Sequence, residues 1–288
     1  MKFGCTGNYQ KPEFFKIATE IYYHLKNTEH DYYLSSSALT NGEHPELKEV
    51  EVKHIQDIAE ECDVILSIGG DGTILATLRQ IGKSTTPILG IHIGGLGFLA
   101  ACSQKDYIDS INEIINGNYF VEKRMLIEAT IDTNKSRKFF ALNDIVIDHG
   151  TSARILKTHV YVSDKYLNTF ESDGMIFATP TGSTAYSLSA GGPIITPSLD
   201  VILVTPICPH SLSARSIALS SEEVISVSFA EEPAGMAVTI DGQVRLPVDY
   251  STKISIRKAD YSANMIQFVH NDYFQTLRTK MGWAGNVR

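Results

Sequence analysis

Cysteine is scarce and scattered. Cys5, Cys62, Cys102 and Cys208 are the only four in 288 residues, and they form neither a CxxC pair nor a Cys/His array with zinc spacing. This argues against a disulfide scaffold or structural zinc and fits reduced thiols in a cytoplasm. Long apolar runs are missing too. No stretch approaches the ~20 residues of a membrane span, and the start, "MKFGCTGNYQKPEFF", lacks the apolar core of a secretory signal. The expectation is a soluble, intracellular protein with no membrane partner. Basic residues are outnumbered, 25 Lys and Arg against 33 Asp and Glu, and the net charge of -8 repels a phosphate backbone. No nucleic acid partner is expected, although a local cluster of amide N–H groups can still bind a small anion. No G-x-S-x-G elbow occurs, which leaves a serine hydrolase of that type without support.

What is present is ordinary globular material, 43% hydrophobic and 20% charged, and the length favours two domains. After Pro12, residues Phe14, Ile17, Ile21 and Leu25 share a helical face. "YYL" at 32–34, "DVILSI" at 63–68 and "PILGIHI" at 87–93 read as strands covered on both sides. Between and after them, helices are expected over 74–81 and from Ser103 to a stop at Gly117. The first ~120 residues thus read as βαβ units around a parallel sheet. From Glu122 the apolar period shifts towards two, as in "KTHVYVSD", "EEVISVSFA", "MAVTIDGQV" and "TKISIRKA". The fold expected is an α/β N-terminal domain, residues 1–121 with 263–288, and a mainly β C-terminal domain over 122–262. Tyr273, Phe274, Leu277 and Met281 predict a last helix returning to the first domain.

"ILSIGGDGTILATLRQIG" at 65–82 places Gly69, Gly70, Asp71 and Gly72 between a buried strand and a helix expected to begin near Thr73. Such a turn lies at the carboxyl edge of a parallel sheet, where ligands bind. Glycines allow close backbone approach and positive φ, and the first helical N–H groups attract anions, so Gly69, Gly70, Gly72 and Thr73 form a candidate phosphate cradle. Asp71 opposes that purpose unless it faces a hydroxyl nucleophile or a Mg²⁺ bridging phosphates. As an alternative, Asp71 simply caps the helix. "GKST" at 82–85 imitates the end of a P-loop, but its first glycine falls at Thr77, so it reads as a loop. "GLGFLA" at 95–100 matches G-x-G-x-x-A without a second strand ending in an acid, and reads as a turn that packs the sheet.

A second constellation, "SDGMIFATPTGSTAYSLSAGGPIITPS" at 172–198, is dense in small and hydroxyl residues suited to sugar or phosphate, with Tyr186 able to stack or donate. "GGDGT" at 69–73, "LNDIVID" at 142–148, "DGMIFATPTGSTAYSLSAGGPI" at 173–194, "PHSLSARS" at 209–216 and "IDGQ" at 240–243 occur in the order and rough spacing of NAD kinases. The chain resembles that family from about residue 63 to 243. GGDGT alone also resembles diacylglycerol and sphingosine kinases, whereas the TPTGSTAYSLSAGGP run is far more specific.

The resemblance implies transfer of the γ-phosphoryl of ATP, or in some members of polyphosphate, to the 2′-hydroxyl of the adenosine ribose of NAD. It makes Asp71 the proton acceptor. A carboxylate cannot ionise an alcohol beforehand, so the proton is expected to move late, as the O–P bond forms. Mg²⁺ is expected on the ATP phosphates rather than in a cage of protein ligands. The same resemblance implies NAD contacts at Asp71, Gly72, Asn143, Asp144, Glu171, Asp173, Thr184, Ala185, Tyr186, Ser187, Leu188, Ser189 and Gln243. It implies a phosphate contact at Arg154 across a subunit boundary, and a homodimer or homotetramer. From the residues alone, Asn143 and Asp144 read equally as turn residues and Gln243 as a hairpin-turn neighbour. Ala76, Gly95 and Glu171 stand where many members carry a basic residue, which bears on the donor site and on tolerance of NADP. Two other readings remain: a non-catalytic dinucleotide-binding regulator, and a lipid kinase sharing GGDGT.

Overall fold

Apolar residues on both sides of each early strand require cover on both faces of the first sheet. The computed structural model describes residues 1–41, 45–95, 97–133, 135–150, 155–230 and 235–283. The chain forms two compact units, Met1–Lys123 with Ala263–Arg288, and Arg124–Ser262.

In the first unit the elements run β1 (Lys2–Gly7), α1 (Pro12–Leu25), β2 (Asp31–Ser35), β3 (Glu51–Lys53), α2 (Ile55–Glu61), β4 (Val64–Gly69), α3 (Asp71–Ile81), β5 (Ile88–His92), β6 (Cys102–Ser103) and α4 (Tyr107–Ile115). The strands pair in parallel in the order β3-β2-β1-β4-β5. Phe3, Leu66, Ile68 and Ile91 bury one face with Phe14, Ile17, Ile21 and Leu25 of α1 and Ile111 and Ile114 of α4. Each such side chain contributes about 1.5–3 kcal/mol on burial. The other face meets α2 and α3. A Cβ at Gly4 would lie 2.1 Å from Ile58, and one at Gly90 2.5 Å from Ile74, so only glycine admits these helices. Helix α4 begins at Tyr107 rather than Ser103. Asp106 Oδ1 accepts the Ser103 N–H at 2.7 Å and hydroxyl at 2.8 Å, which holds 103–106 as a turn. Gly117, at φ +76°, follows its end.

The second unit contains β7 (Phe120–Asp132), which begins in the first unit, then β8 (Ser136–Ala141), β9 (Asp144–Asp148), β10 (Leu156–Val162), β11 (Lys165–Ser172), β12 (Gly174–Ala178), α5 (Tyr186–Ser189), β13 (Val201–Ile207), β14 (Ile217–Ser220), β15 (Ile225–Phe229), β16 (Ala237–Ile240), β17 (Val244–Pro247) and β18 (Lys253–Gln267). One antiparallel sheet has the order β14-β13-β12-β9-β16-β17. Its inner residues, among them Ile145, Ile147, Met175, Phe177 and Val238, share a core with Ile127, Leu156, Val160, Ile225 and Ile254 from the other strands.

The last residues of β18 return to the first unit, where Met265 pairs with Ile88, and α6 (Tyr273–Met281) follows. Leu277 is its buried contact, and the Tyr273 ring lies 6.4 Å from that of Phe98. Phe274, expected on the packed face, is instead 55% exposed. The α/β first part, mainly β second part and returning helix accord with the sequence. Among the described residues no helix is long and apolar enough to cross a membrane.

Candidate active site

The GGDG segment is tighter than its sequence suggests. Gly69 completes β4, Gly70 is the single flanking residue, and Asp71 and Gly72 lie in the first turn of α3, two residues before the expected start. The turn closes early because Thr73 and Ile74 donate their N–H groups to the Gly70 carbonyl at 2.9 and 3.3 Å, and the Gly70 N–H donates to the Thr73 hydroxyl at 3.3 Å. The expected positive φ is not found at Gly69, Gly70 or Gly72. Gly69 is small for a different reason. A Cβ there would sit 2.2 Å from Thr73 Oγ1, so glycine lets strand and helix approach.

Asp71 does not cap α3, and the capping alternative falls. Its carboxylate accepts the N–H of Phe98 at 2.9 Å and of Leu99 at 3.3 Å. These amides belong to GLGFLA, read in the sequence chiefly as a turn that packs the sheet. A Cβ on Gly97 would lie 2.0 Å from Asp71 Oδ1, so the loop is shaped around the carboxylate. His92, at the end of β5, lies beside it. Burial holds the imidazole below its ordinary range although the charge of Asp71 and the Gly94 main chain pull the other way. No motif marked His92 in the sequence. Gly95, where a basic side chain is common in the resembled family, has nothing within 4 Å of an added Cβ.

In the second unit, the pleat of β9 puts Asp144, Val146 and Asp148 on the face opposite the core. Val146 packs there with Ile176, Ala178 and Leu203. The 180–198 segment lies over this face as a 3₁₀ turn, Thr181–Thr184, followed by α5. Ser187 is fully buried, with its hydroxyl 3.0 Å from that of Thr205. Ser183 accepts the Ile195 N–H at 3.0 Å. The Thr179 N–H donates to the Asn143 carbonyl at 2.9 Å, and a Cβ on Gly182 would be 2.0 Å from that carbonyl oxygen. The loop therefore rests on the main chain of Asn143.

Asp144 is 5% exposed, and burial, reinforced by the charge of Asp241, pushes its carboxyl up to about 7. Tyr186 is 46% exposed. Its phenol is pushed up by partial burial and then by Asp148, Cys208, Asp144 and Asp173, which places these groups within its field. Asp173 donates its N–H to the Ile207 carbonyl at 2.9 Å. Thr184 bonds back to the Thr181 carbonyl at 3.3 Å, while Ala185 and Leu188 are half-buried and Ser189 is exposed. Gln243 closes the β16–β17 turn, donating its N–H to the Ile240 carbonyl at 2.9 Å. Glu171 is exposed and lies 3.8 Å from Lys157 Nζ. Arg154 is outside the described residues.

Two side chains on this face, Arg245 and Asp241, were given no role in the sequence. Arg245 grips Asp148 through two nitrogens at 2.7 and 2.9 Å, a bidentate pair. Asp241, read only as part of a turn, accepts three main-chain N–H groups. The signal that could have found it is an acid in a hairpin turn facing an Asn-Asp corner, but their pairing is visible only once β9 and β16 are neighbours.

Comparison with known proteins agrees with the geometry. Residues 8–119 match the ATP-NAD kinase N-terminal domain and residues 142–268 the ATP-NAD kinase C-terminal domain. An NAD kinase of Caldanaerobacter subterraneus subsp. tengcongensis is 41% identical over 254 residues, 84% of this chain and 90% of the relative. One from Chlorobium phaeobacteroides is 38% identical over 289 residues, 99% of this chain and 98% of the relative. Among solved structures, yeast NADH kinase complexed with NADH superposes with a TM-score of 0.89 at 26% identity, covering 100% of this chain and 89% of that one. An NAD kinase from Archaeoglobus fulgidus in complex with ATP gives 0.76 at 26% identity, covering 99% and 100%. With both domain types matched in order and relatives matched along nearly their whole length, the chain belongs to the NAD kinase family.

Proposed function

We propose that this protein transfers the γ-phosphoryl of ATP to the 2′-hydroxyl of the adenosine ribose of NAD, producing NADP. The observation that carries the reading is Asp71, an acid at the carboxyl end of β4 whose carboxylate is fixed by two loop amides rather than spent on its own helix. Asp71 takes the 2′-hydroxyl proton late, as the new O–P bond forms, and that assistance accounts for about 10²- to 10⁴-fold. Positioning and charge neutralisation supply the rest. Magnesium carried on the ATP phosphates would supply charge neutralisation there. On the family resemblance, the segment of Gly69, Gly70, Gly72 and Thr73 lies against the donor phosphates, with the Gly70, Thr73 and Ile74 N–H groups holding the turn in shape. Asn143, Asp144, Asp173 and the 184–189 segment hold the dinucleotide, with Tyr186 offering an exposed ring and hydroxyl. We further place the protein in the cytoplasm, on its four scattered cysteines, and as a homodimer or homotetramer, on the family resemblance. Neither a non-catalytic regulator nor a lipid kinase is favoured by any feature of the site.

The test is incubation with NAD, ATP and Mg²⁺ and analysis of the product by ³¹P NMR. A new 2′-phosphomonoester resonance is expected. NAD that binds and is recovered unchanged, or phosphorylation of a different hydroxyl, would contradict the reading.

A further inference from the structure

The β16–β17 turn does more than reverse the chain. Asp241 takes a left-handed backbone, φ +48°, ahead of Gly242 at +65°, a conformation that Asp tolerates better than most residues. There its carboxylate receives three consecutive amides: Leu142 donates to Oδ2 at 3.0 Å, and Asn143 and Asp144 to Oδ1 at 2.8 and 3.0 Å. The Asp241 N–H returns a bond to the Asp144 carbonyl at 2.9 Å. Successive N–H groups converging on one anion form a nest, and without the acid three donors at a half-buried corner lose their acceptor. Asn143 is held from the other side as well, by the Thr179 N–H on its carbonyl.

We infer that Asp241 is a positioning residue for dinucleotide recognition: it builds the Asn143–Asp144 corner through three main-chain hydrogen bonds. The inference rests on the proposed binding of NAD by this corner. Asp241 touches the corner and not the reacting atoms, so it acts on affinity rather than on the chemical step. The groups facing Asp144 are Asp241 from the turn and Tyr186 from α5. Tyr186, its phenol raised, stays neutral across the range that matters. Asp144 accepts hydroxyl donors when ionised, so NAD binding weakens as pH falls through about 7, and removing the neighbouring charge moves that midpoint down.

The experiment measures NAD dissociation constants by calorimetry and initial rates from pH 6 to 9, for the native protein and Asp241→Asn. The variant removes the charge and turns one acceptor into a donor facing the Leu142 N–H. Expected are a rise of about tenfold in Kd and KM, little change in kcat at saturating NAD, and a lower pH midpoint. Native affinity with an unchanged midpoint overturns the inference, as does a fall in kcat alone. If Asp241→Asn fails to fold, the native protein still decides. Its NAD affinity must weaken through pH 7 and its amides at 142–144 must resist hydrogen exchange, and a flat affinity or fast exchange refutes the idea. A native protein that neither binds NAD nor forms NADP refutes the proposed function itself.

Discussion

Asp71 and Asp144 are both acids near the ends of strands, and their surroundings give them different work. Asp71 receives two amides, whereas Asp144 is buried beside a second acid and is pushed from an ordinary 3.8 to about 7. Because this value is raised, the folded protein keeps a proton between about 3.8 and 7 that the unfolded chain has released. Stability therefore falls as pH rises through that window, and the cost is complete above it. Asp144→Asn cannot ionise and is expected to raise the melting temperature at pH 8, with the gain shrinking towards pH 4. Thermal unfolding at the two pH values checks this, and an equal shift at both would contradict it. Asp71 was legible from its glycine setting, although capping and chemistry could not be separated until its partners were seen. His92 and Asp241 were not legible, because their significance lies in neighbours far away in the chain.

Two loops do their work through the main chain, which has no letter in a sequence. GLGFLA matched a dinucleotide pattern imperfectly, yet its role comes from the amides of Phe98 and Leu99 and from the missing side chain at Gly97. Gly97→Ala is expected to displace the Asp71 carboxylate, cutting turnover by tenfold or more while NAD affinity stays the same. Steady-state rates with calorimetry on the same sample separate the two effects. Gly182→Ala has the opposite signature. Its Cβ would meet the Asn143 carbonyl at 2.0 Å, so NAD affinity should fall, and an unaltered dissociation constant would count against the corner as a binding element. Strands and helices of the first part were readable because their apolar periods are strong. The start of α3 was not, since two glycines suggest a loop while the bonds of Thr73 and Ile74 to Gly70 close a helical turn. The neighbours of β9, namely β12 and β16, follow from long-range pairing that periodicity does not encode.

Both compact units carry a core of their own, and the chain as a whole is acidic, at -8. Binding of the anionic substrates must then come from local amides and particular side chains rather than from a general positive field. A labelled DNA duplex is accordingly expected to show no anisotropy change with the protein in about 50 mM salt, where nonspecific electrostatic binding is strong. Cys5 and Cys102, pushed up to about 12 by burial, should resist alkylation in the native protein, in keeping with a packing role. The central claim, that Asp71 takes the proton from the ribose hydroxyl, is tested most directly by single-turnover formation of NADP in the native protein and in Asp71→Asn, with NAD affinity measured on the same preparations. The account predicts unchanged affinity and a phosphoryl-transfer rate lower by about 10²- to 10⁴-fold. Transfer at the native rate would contradict it.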